Sequence, residues 1–235
     1  MTVNVHLVRH GEIASHLGDV PLTETGLHVA KEVGESLGDR IFAREKISFL
    51  YASTNRTRQT AEMFSEGILK SIEKRGLKNI KVLETVKENA IRNPDIFLGG
   101  VRVEMVSSAE ALSEQTRSVG LEASYLKTVP FWPKFWESPD RIGYWVGLEN
   151  PPGENVIAVA RRIMTFAASL NVLPGEEPRR YICVTHSPVL RAFLKTYLLD
   201  EDPGEPDYCE SIDLSFPNKD TCVIRFREIE KVISI

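Results

Sequence analysis

The chain has 235 residues, 42% of them hydrophobic and 26% charged, with a formal net charge of −4. This length and composition predict one globular domain over residues 1–235 and exclude a disordered or fibrous protein. The small negative charge argues against binding to nucleic acid or to an anionic membrane, because either partner requires a broad basic surface.

Three cysteines lack the spacing of metal ligands, and the amino terminus lacks the long apolar run of a signal peptide. We therefore expect reduced thiols and a cytoplasmic protein, with no membrane-spanning segment.

Short buried strands alternate with amphipathic helices in the first third of the chain. Strands are predicted at residues 3–8, 47–52 and 80–83, each rich in β-branched or other apolar side chains. Between them, apolar residues recur at steps of three and four from Leu27 to Ile41 and from Ala61 to Ile72. This spacing predicts two helices, each with one buried face.

The last third repeats the pattern. A helix from Val156 to Leu170 ends in a predicted loop at 174–178, and a buried strand at 181–184 precedes a helix that starts at Pro188. Two further strands are predicted near 211–216 and 222–229. Strands that alternate with helices predict a three-layer α/β/α sandwich with a mainly parallel central sheet.

The segment from about residue 89 to residue 150 breaks this rhythm and is interpreted as an insertion. The spacing of Ser107 and Glu110 is that of a capping box and predicts a helix that reaches Leu126. The segment is rich in aromatic side chains, which form either a wall of a substrate pocket or additional core: Phe131, Trp132, Phe135, Trp136, Tyr144 and Trp145.

Two of the predicted strands end in residues that suit phosphate chemistry. Arg9 and His10 follow the first strand, and His186 follows the strand at 181–184. Ligands of open α/β sheets bind at the carboxyl ends of the strands. If the two strands are neighbours in the sheet, these side chains meet there, and Arg56 or Arg58 would join them. One guanidinium group can bind two phosphate oxygens at once, and an imidazole can attack phosphorus or donate a hydrogen bond to a phosphate oxygen.

Five short motifs follow one another along the chain: Arg9-His10-Gly11-Glu12, Leu22-Thr23-Glu24-Thr25-Gly26, Arg56-Thr57-Arg58-Gln59-Thr60-Ala61, Gly153-Glu154-Asn155 and Val184-Thr185-His186-Ser187. In content and order they resemble the motifs of the histidine phosphatase superfamily, in its phosphoglycerate-mutase-like branch (branch 1). The resemblance implies a phosphoglycerate-mutase-like fold and a phosphoric monoester hydrolase of the histidine acid phosphatase type. It implies no metal and no cofactor.

The resemblance also implies roles for particular side chains. His10 would attack phosphorus and form a phosphohistidine, while Arg9, Arg56 and His186 hold the phosphoryl oxygens. Residues 82–88 are similar to the family's V-L-x-x-L-x-E pattern, so Glu88 would be the acid that protonates the leaving oxygen. The substrate would be a phosphomonoester, carried by a small molecule or by a protein.

Several alternatives stay open from the sequence. Glu84 rivals Glu88 as the acid, and Arg58 rivals Arg56 as the phosphate ligand. A phosphoglycerate mutase is disfavoured, because only residues 13–21 separate the first motif from the second and no N-E-R-H-Y-G stretch is present. A non-catalytic phosphate-binding protein is disfavoured because the pocket residues are all retained. We expect the insertion to cover the mouth of the pocket.

Overall fold

A computed structural model describes residues 2–15, 18–173 and 177–235. Within them a seven-stranded sheet has the order β3-β2-β6-β1-β7-β8-β9. The first four strands in this order run parallel, and β7, β8 and β9 continue the sheet as antiparallel neighbours. The strands are β1 (Val3–Arg9), β2 (Lys46–Tyr51), β3 (Lys81–Lys87), β6 (Arg179–Thr185), β7 (Ser211–Asn218), β8 (Thr221–Phe226) and β9 (Ile229–Ser234).

Helices cover both faces of the sheet, and alternate side chains of the central strands belong to different cores. Val5 and Leu7 of β1 pack in one core with residues of the two helices α7 (Val156–Asn171) and α8 (Ser187–Leu194). Val8 packs in a second core with residues of α1 (Glu24–Gly38) and α2 (Asn55–Lys74). The predicted α/β fold with helices on both sides of a large central sheet is therefore confirmed.

The carboxyl-terminal strands differ from the prediction. One strand was expected at 222–229, but the chain turns after Phe226 and returns as β9, with Phe226 paired to Ile229. The turn is made by Arg227, whose φ is 53°, and Glu228. The sequence carries no Gly, Asn or Asp there, which are the residues that normally mark a left-handed turn.

The insertion contains its own short elements. A 3-10 turn (Asn89–Ile91) leads to a hairpin of β4 (Ile96–Leu98) and β5 (Val101–Val103), which the sequence did not predict. Four short helices follow: α3 (Ala109–Gln115), α4 (Ala123–Leu126), α5 (Phe131–Glu137) and α6 (Arg141–Val146).

The single helix predicted from Ser107 to Leu126 is wrong in its extent. Ser108 rather than Ser107 is the N-cap, since its hydroxyl accepts a hydrogen bond from the N–H of Ala111 at 3.2 Å. The helix ends at Gln115, and a 3-10 turn (Arg117–Val119), itself ended by Gly120 with a φ of 67°, separates it from α4. A glycine at a positive φ ends a helix readily, because it has no Cβ to clash.

The tryptophans of the insertion are core residues. Trp132 and Trp145 are fully buried and belong to the same core as Val5 and Leu7 of β1. Trp136 is partly buried, and its indole N–H donates to the carbonyl oxygen of Val106 at 3.0 Å. The insertion is therefore packed into the body of the protein.

Two remaining expectations concern chain segments rather than side chains. None of the described helices is both long enough and apolar enough to cross a bilayer. Of the loop predicted at 174–178, residues 174–176 lie outside the described part of the chain.

Candidate functional site

Two histidines lie side by side at the carboxyl edge of the parallel strands. In the pairing of β1 with β6, Arg9 lies opposite Thr185, so His10 and His186 are the next residues of two neighbouring strands. The N–H of His10 donates to the carbonyl of Thr185 at 3.0 Å. The ring centroids of the two histidines are 5.4 Å apart, and both residues are less than 5% exposed.

One hydrogen bond sets the tautomer of His10. Its Nδ1 atom lies 2.8 Å from the carbonyl oxygen of Gly11. Because a carbonyl oxygen can only accept, Nδ1 carries the proton of this hydrogen bond. In the neutral ring, Nε2 is then left with its lone pair, which is the form that a nucleophilic histidine requires.

The turn after His10 is held by the other sequence motifs. Thr23 caps α1 by accepting from the N–H of Gly26, and its hydroxyl donates to the carboxylate of Glu12 at 2.7 Å. Gly26 packs directly on this turn: a Cβ at that position would lie 2.5 Å from the carbonyl oxygen of Glu12. The second motif therefore requires its glycine so that α1 can approach the first motif.

Arg9 and Arg56 bring two guanidinium groups to the histidines. Both line the same small cavity, and the Nε–H of each is buried without a hydrogen-bond acceptor in the described structure. Arg56 lies in the first turn of α2, and burial lowers the pKa of its guanidinium. Its nearest acid is Asp19, at 3.9 Å. The two unsatisfied donors fit a ligand rich in acceptor oxygens.

Arg58 points away from this cavity. Its guanidinium donates to Glu62 at 2.7 Å and to Asn55 at 2.8 Å on the exposed face of α2, and its side chain is 44% exposed. Of the two arginines that the sequence left open, Arg56 is the one that the structure places beside His10.

The cavity has a volume of about 100 Å³. Its walls come from both ends of the chain and from the insertion: Arg9, His10, Arg56, Asn93, Met105, Ile142, His186, Ser187, Pro188 and Glu205. Four of the five predicted site residues, Arg9, His10, Arg56 and His186, thus meet in one place.

The charges of the cavity hold His186 neutral. Burial lowers its pKa well below the ordinary value of 6.5, and the guanidinium charges of Arg56 and Arg9 lower it further. A bound dianion would offset those charges. His186 is therefore suited to donate a hydrogen bond to an anionic ligand.

Glu88 lies at the same edge of the sheet but does not line the cavity. Its N–H donates to the carbonyl of Tyr51, and its carboxylate accepts from the N–H of Ala90 at 2.8 Å. The turn that it caps is bound to β6, since the hydroxyl of Thr185 donates to the carbonyl of Ile91. Glu84 lies within β3 and is exposed. Glu88 directly follows the carboxyl end of β3, whereas Glu84 lies four residues earlier. The role of Glu88 as the acid stays a prediction.

Glu205 is a further residue of the site, and the sequence did not predict it. This carboxylate lines the cavity, and its Oε1 atom is 2.8 Å from Nη2 of Arg9. Its Oε2 atom accepts from the hydroxyl of Ser187 at 2.6 Å and lies 3.4 Å from Nη1 of Arg191. No motif marks Glu205. Its position follows from topology: β7 is antiparallel to β1, so the segment that enters β7 reaches the carboxyl edge of β1.

A larger cleft of about 840 Å³ adjoins the small cavity and shares Arg9, Met105, Ile142 and Glu205 with it. Much of its wall comes from the insertion, including Phe135 and residues 138–142. The insertion thus borders the cleft, and its expected role of covering the mouth of the pocket stays a prediction. Trp132 and Trp136 are not among the residues that line the cleft.

Within the described ranges, no group of three or more His, Cys, Asp or Glu side chains is placed to hold a metal ion.

Comparisons with known proteins agree with the predicted resemblance. Residues 5–89 match the family model of the histidine phosphatase superfamily (branch 1). No curated protein matches the chain in sequence.

Solved structures share the fold over nearly the whole chain. A mycobacterial glucosyl-3-phosphoglycerate phosphatase is 16% identical with a TM-score of 0.53, over 98% of this chain and 97% of its own. A phosphoglycerate mutase from Bacillus anthracis is 16% identical with a TM-score of 0.50, over 100% of this chain and 92% of its own. A functionally characterised open reading frame product from Mycobacterium tuberculosis is 17% identical with a TM-score of 0.51, over 99% and 96%. Residues 5–89 thus carry the pattern of branch 1 of the histidine phosphatase superfamily, on a fold that the whole chain shares with phosphoglycerate-mutase-like proteins.

Proposed function

We propose that the protein is a metal-independent phosphomonoesterase that forms a phosphohistidine on His10. The observation that carries the proposal is the hydrogen bond from Nδ1 of His10 to the carbonyl of Gly11, at 2.8 Å. It leaves Nε2 of the neutral ring as the nucleophilic atom, in a cavity that it shares with two arginines. Two of the structural neighbours have names that describe phosphate-ester chemistry, which supports the same reaction class.

In the first step, Nε2 of His10 attacks phosphorus in line with the ester oxygen. The Nε2–P bond forms as the P–O bond to the organic group breaks, and the leaving oxygen takes a proton from an acid. In the second step, water attacks the phosphohistidine and gives a proton to the carboxylate left by the acid. The Nε2–P bond breaks, inorganic phosphate is released, and both Nε2 and the acid return to their starting states. Splitting the displacement in this way replaces one difficult reaction by two easier ones.

Arg9, Arg56 and His186 would stabilise the negative charge of the phosphoryl group. The transferred phosphoryl group carries its negative charge on three oxygens, which the unsatisfied Nε–H groups of Arg9 and Arg56 can bind. His186 donates a further hydrogen bond. Because two guanidinium groups supply the positive charge, the proposed reaction does not call for a metal ion.

Glu88 is proposed as the acid. It lies at the carboxyl end of β3, and the turn that it caps contacts Thr185, the residue before His186. Both oxygens of Glu205 are already within reach of other donors, namely Arg9, Ser187 and Arg191. For this reason we assign proton transfer to Glu88 rather than to Glu205.

The proposal is tested by hydrolysis of p-nitrophenyl phosphate in the presence of a chelator. The purified protein is expected to hydrolyse it at an unchanged rate, and His10→Ala is expected to abolish activity. His28→Ala is the matched control, since this histidine is 73% exposed on α1. Rapid quenching with a labelled phosphomonoester should trap a phosphate on the protein that is stable in base and labile in acid, and His10→Ala should not trap it.

Four outcomes would count against the proposal. Hydrolysis that chelation abolishes would contradict the metal-independent mechanism, and hydrolysis retained by His10→Ala would contradict the nucleophile. Net conversion between 2- and 3-phosphoglycerate without release of phosphate would favour the mutase alternative. Binding of phosphate without turnover of any phosphomonoester would favour the non-catalytic one.

A further inference from the structure

Glu205 occupies the junction between the small cavity and the large cleft, and it lines both. We infer that the cleft binds the organic group of the substrate, and that Glu205 selects esters whose organic group is bulky and apolar and has no anionic substituent beside the phosphate. The inference rests on the proposed phosphomonoesterase activity and names a substrate class for it.

The cavity and the cleft are continuous. The phosphoryl group lies in the cavity with His10, and the ester oxygen opposite Nε2 must connect it to the organic group. The cleft shares four lining residues with the cavity and has about 840 Å³, against about 100 Å³ for the cavity itself. The cavity has room for little beyond a phosphoryl group, so the organic group of a large ester extends into the cleft.

The surface of the cleft is suited to an apolar organic group. Apolar and aromatic side chains form much of its wall, including Met105, Val106, Phe135, Ile142 and Tyr208. The ring of Tyr208 is held by Arg9, whose guanidinium carbon lies 4.1 Å from its centroid. An aromatic or branched organic group would bury its surface here, and burial of apolar surface is what stabilises such a complex.

The balance of charge around Glu205 disfavours a second anion beside the phosphate. Arg191 is buried, and it forms ion pairs with Asp140, Asp202 and Glu205. Arg9, Arg56 and Arg191 carry three positive charges, and Asp140, Asp202 and Glu205 carry three negative charges. The two negative charges of a bound phosphate therefore leave this region with a net negative charge. A second anion beside the phosphate would face Glu205, whose side chain is 47% exposed, with no uncommitted arginine at the junction. Like charges placed together in a binding site lower affinity.

Arg141 is the remaining cation of the cleft wall. It is exposed on α6 and lines the cleft but not the cavity, whereas its neighbour Ile142 lines both spaces. The selection that we infer therefore concerns an anion next to the ester oxygen. Arg141→Gln tests this distinction, because it should leave that selection unchanged.

The experiment compares kcat/KM for 3-methylphenyl phosphate and 3-carboxyphenyl phosphate, whose phenols are similar leaving groups. The wild-type protein is expected to prefer the methyl compound by about tenfold or more. Glu205→Gln keeps the size of the side chain and an oxygen that can accept from Ser187, and it should reduce this preference several-fold. Glu201→Gln, an exposed residue of the same segment, should retain it. Equal Tm values would show that the variants are folded.

The outcomes separate the inference from the proposed function. If the wild-type protein hydrolyses neither ester nor p-nitrophenyl phosphate, the proposed function fails. If it hydrolyses both esters equally or prefers the carboxylate, the inferred substrate class is wrong while the phosphatase stands. An unchanged preference in Glu205→Gln would overturn the role of Glu205, and a preference lost in Arg141→Gln would transfer the selection to Arg141.

Discussion

The hydroxyl of Thr60 accepts a hydrogen bond from the backbone N–H of Gly11 at 2.9 Å and donates one to the carbonyl of Arg56 at 2.7 Å. One side chain thus ties the turn after the nucleophile to the helix that carries the second arginine. Thr60→Val keeps the shape but leaves the N–H of Gly11 unsatisfied, at a cost of about 1–3 kcal/mol.

For Thr60→Val we expect a kcat at least several-fold lower with a smaller change in KM, because the position of His10 is affected more than the entry of substrate. Steady-state kinetics with p-nitrophenyl phosphate measure this. Thr165→Val, at an exposed position of α7, is the control. An unchanged kcat in Thr60→Val would show that the turn does not depend on this hydroxyl.

Arg56→Ala should reduce kcat/KM far more than Arg58→Ala. Loss of a charged donor in the cavity should cost about 3 kcal/mol or more of transition-state stabilisation, by analogy with the loss of one donor from an oxyanion hole. Arg58 forms an exposed ion pair with Glu62, and such pairs contribute little. A larger loss in Arg58→Ala than in Arg56→Ala would show that the catalytic arginine was assigned two residues too early.

Glu88→Gln should slow esters of poorly acidic alcohols much more than it slows p-nitrophenyl phosphate. A proton donor matters when the leaving oxygen is strongly basic and matters little when it is not. A plot of log kcat/KM against the pKa of the leaving alcohol should therefore become steeper. Glu84→Gln, which alters an exposed residue of β3, serves as the comparison. The steeper plot in Glu84→Gln alone would reassign the acid.

The stability of the fold should depend on pH through His6. Its Nδ1–H donates to Asp213 at 2.7 Å, and its Nε2 accepts from Arg180 at 2.8 Å, so a neutral ring satisfies both partners. Burial lowers the pKa of His6 below 6.5 in spite of Asp213, and the charges of Arg180 and Arg40 act in the same direction as burial.

Between the folded-state pKa and about 6.5, the unfolded chain binds more protons at His6 than the folded protein does. Its contribution to the free energy of unfolding is complete above about 6.5 and is lost as the pH falls, by at most about 1.4 kcal/mol per pH unit. His186, whose pKa is also lowered, adds a loss of the same sign. Urea unfolding at a series of pH values should show a shallower dependence in His6→Gln than in the wild type or His28→Gln. Identical slopes would exclude His6 as the source.

Trp132→Ala should destabilise the protein rather than alter its substrate preference. Trp132 is fully buried, and truncation of a buried tryptophan costs about 3–5 kcal/mol. Urea unfolding should show this loss, whereas Phe97→Ala, in the exposed hairpin of the insertion, should cost little. At a temperature where Trp132→Ala is folded, the ratio of kcat/KM for a naphthyl and a methylphenyl ester should equal that of the wild type. A changed ratio would return Trp132 to the substrate site.

The parts of the site that the sequence predicts are those fixed by local geometry. His10 and His186 each follow a buried strand, so the alternation of strands and helices predicts that both lie at the carboxyl edge of the sheet. They meet because β1 and β6 are neighbours in the observed strand order. Arg56 could be located only to within two residues. The choice between Arg56 and Arg58 depends on the rotation of α2 about its axis, which the fold determines.

Glu205 was beyond sequence reasoning for a different reason. It reaches the cavity because β7 runs antiparallel to β1, and strand order cannot be inferred from the hydrophobic pattern of a single strand. Most helices and strands of the insertion were not predicted, because each is only three to seven residues long. Such lengths are too short for a helical period to be recognised.

The burial of Trp132 and Trp145 in the same core as Val5 and Leu7 has a consequence for how new specificities could arise in this protein. A surface loop can be replaced as a unit by the loop of a homologue, since few contacts join it to the rest of the molecule. Here the segment that lines the cleft also completes the central core, and a graft or deletion would remove side chains that hold the sheet and α8 together. Divergence toward new substrates is therefore expected to proceed by point substitution of residues that face the cleft, such as Met105 and Ile142.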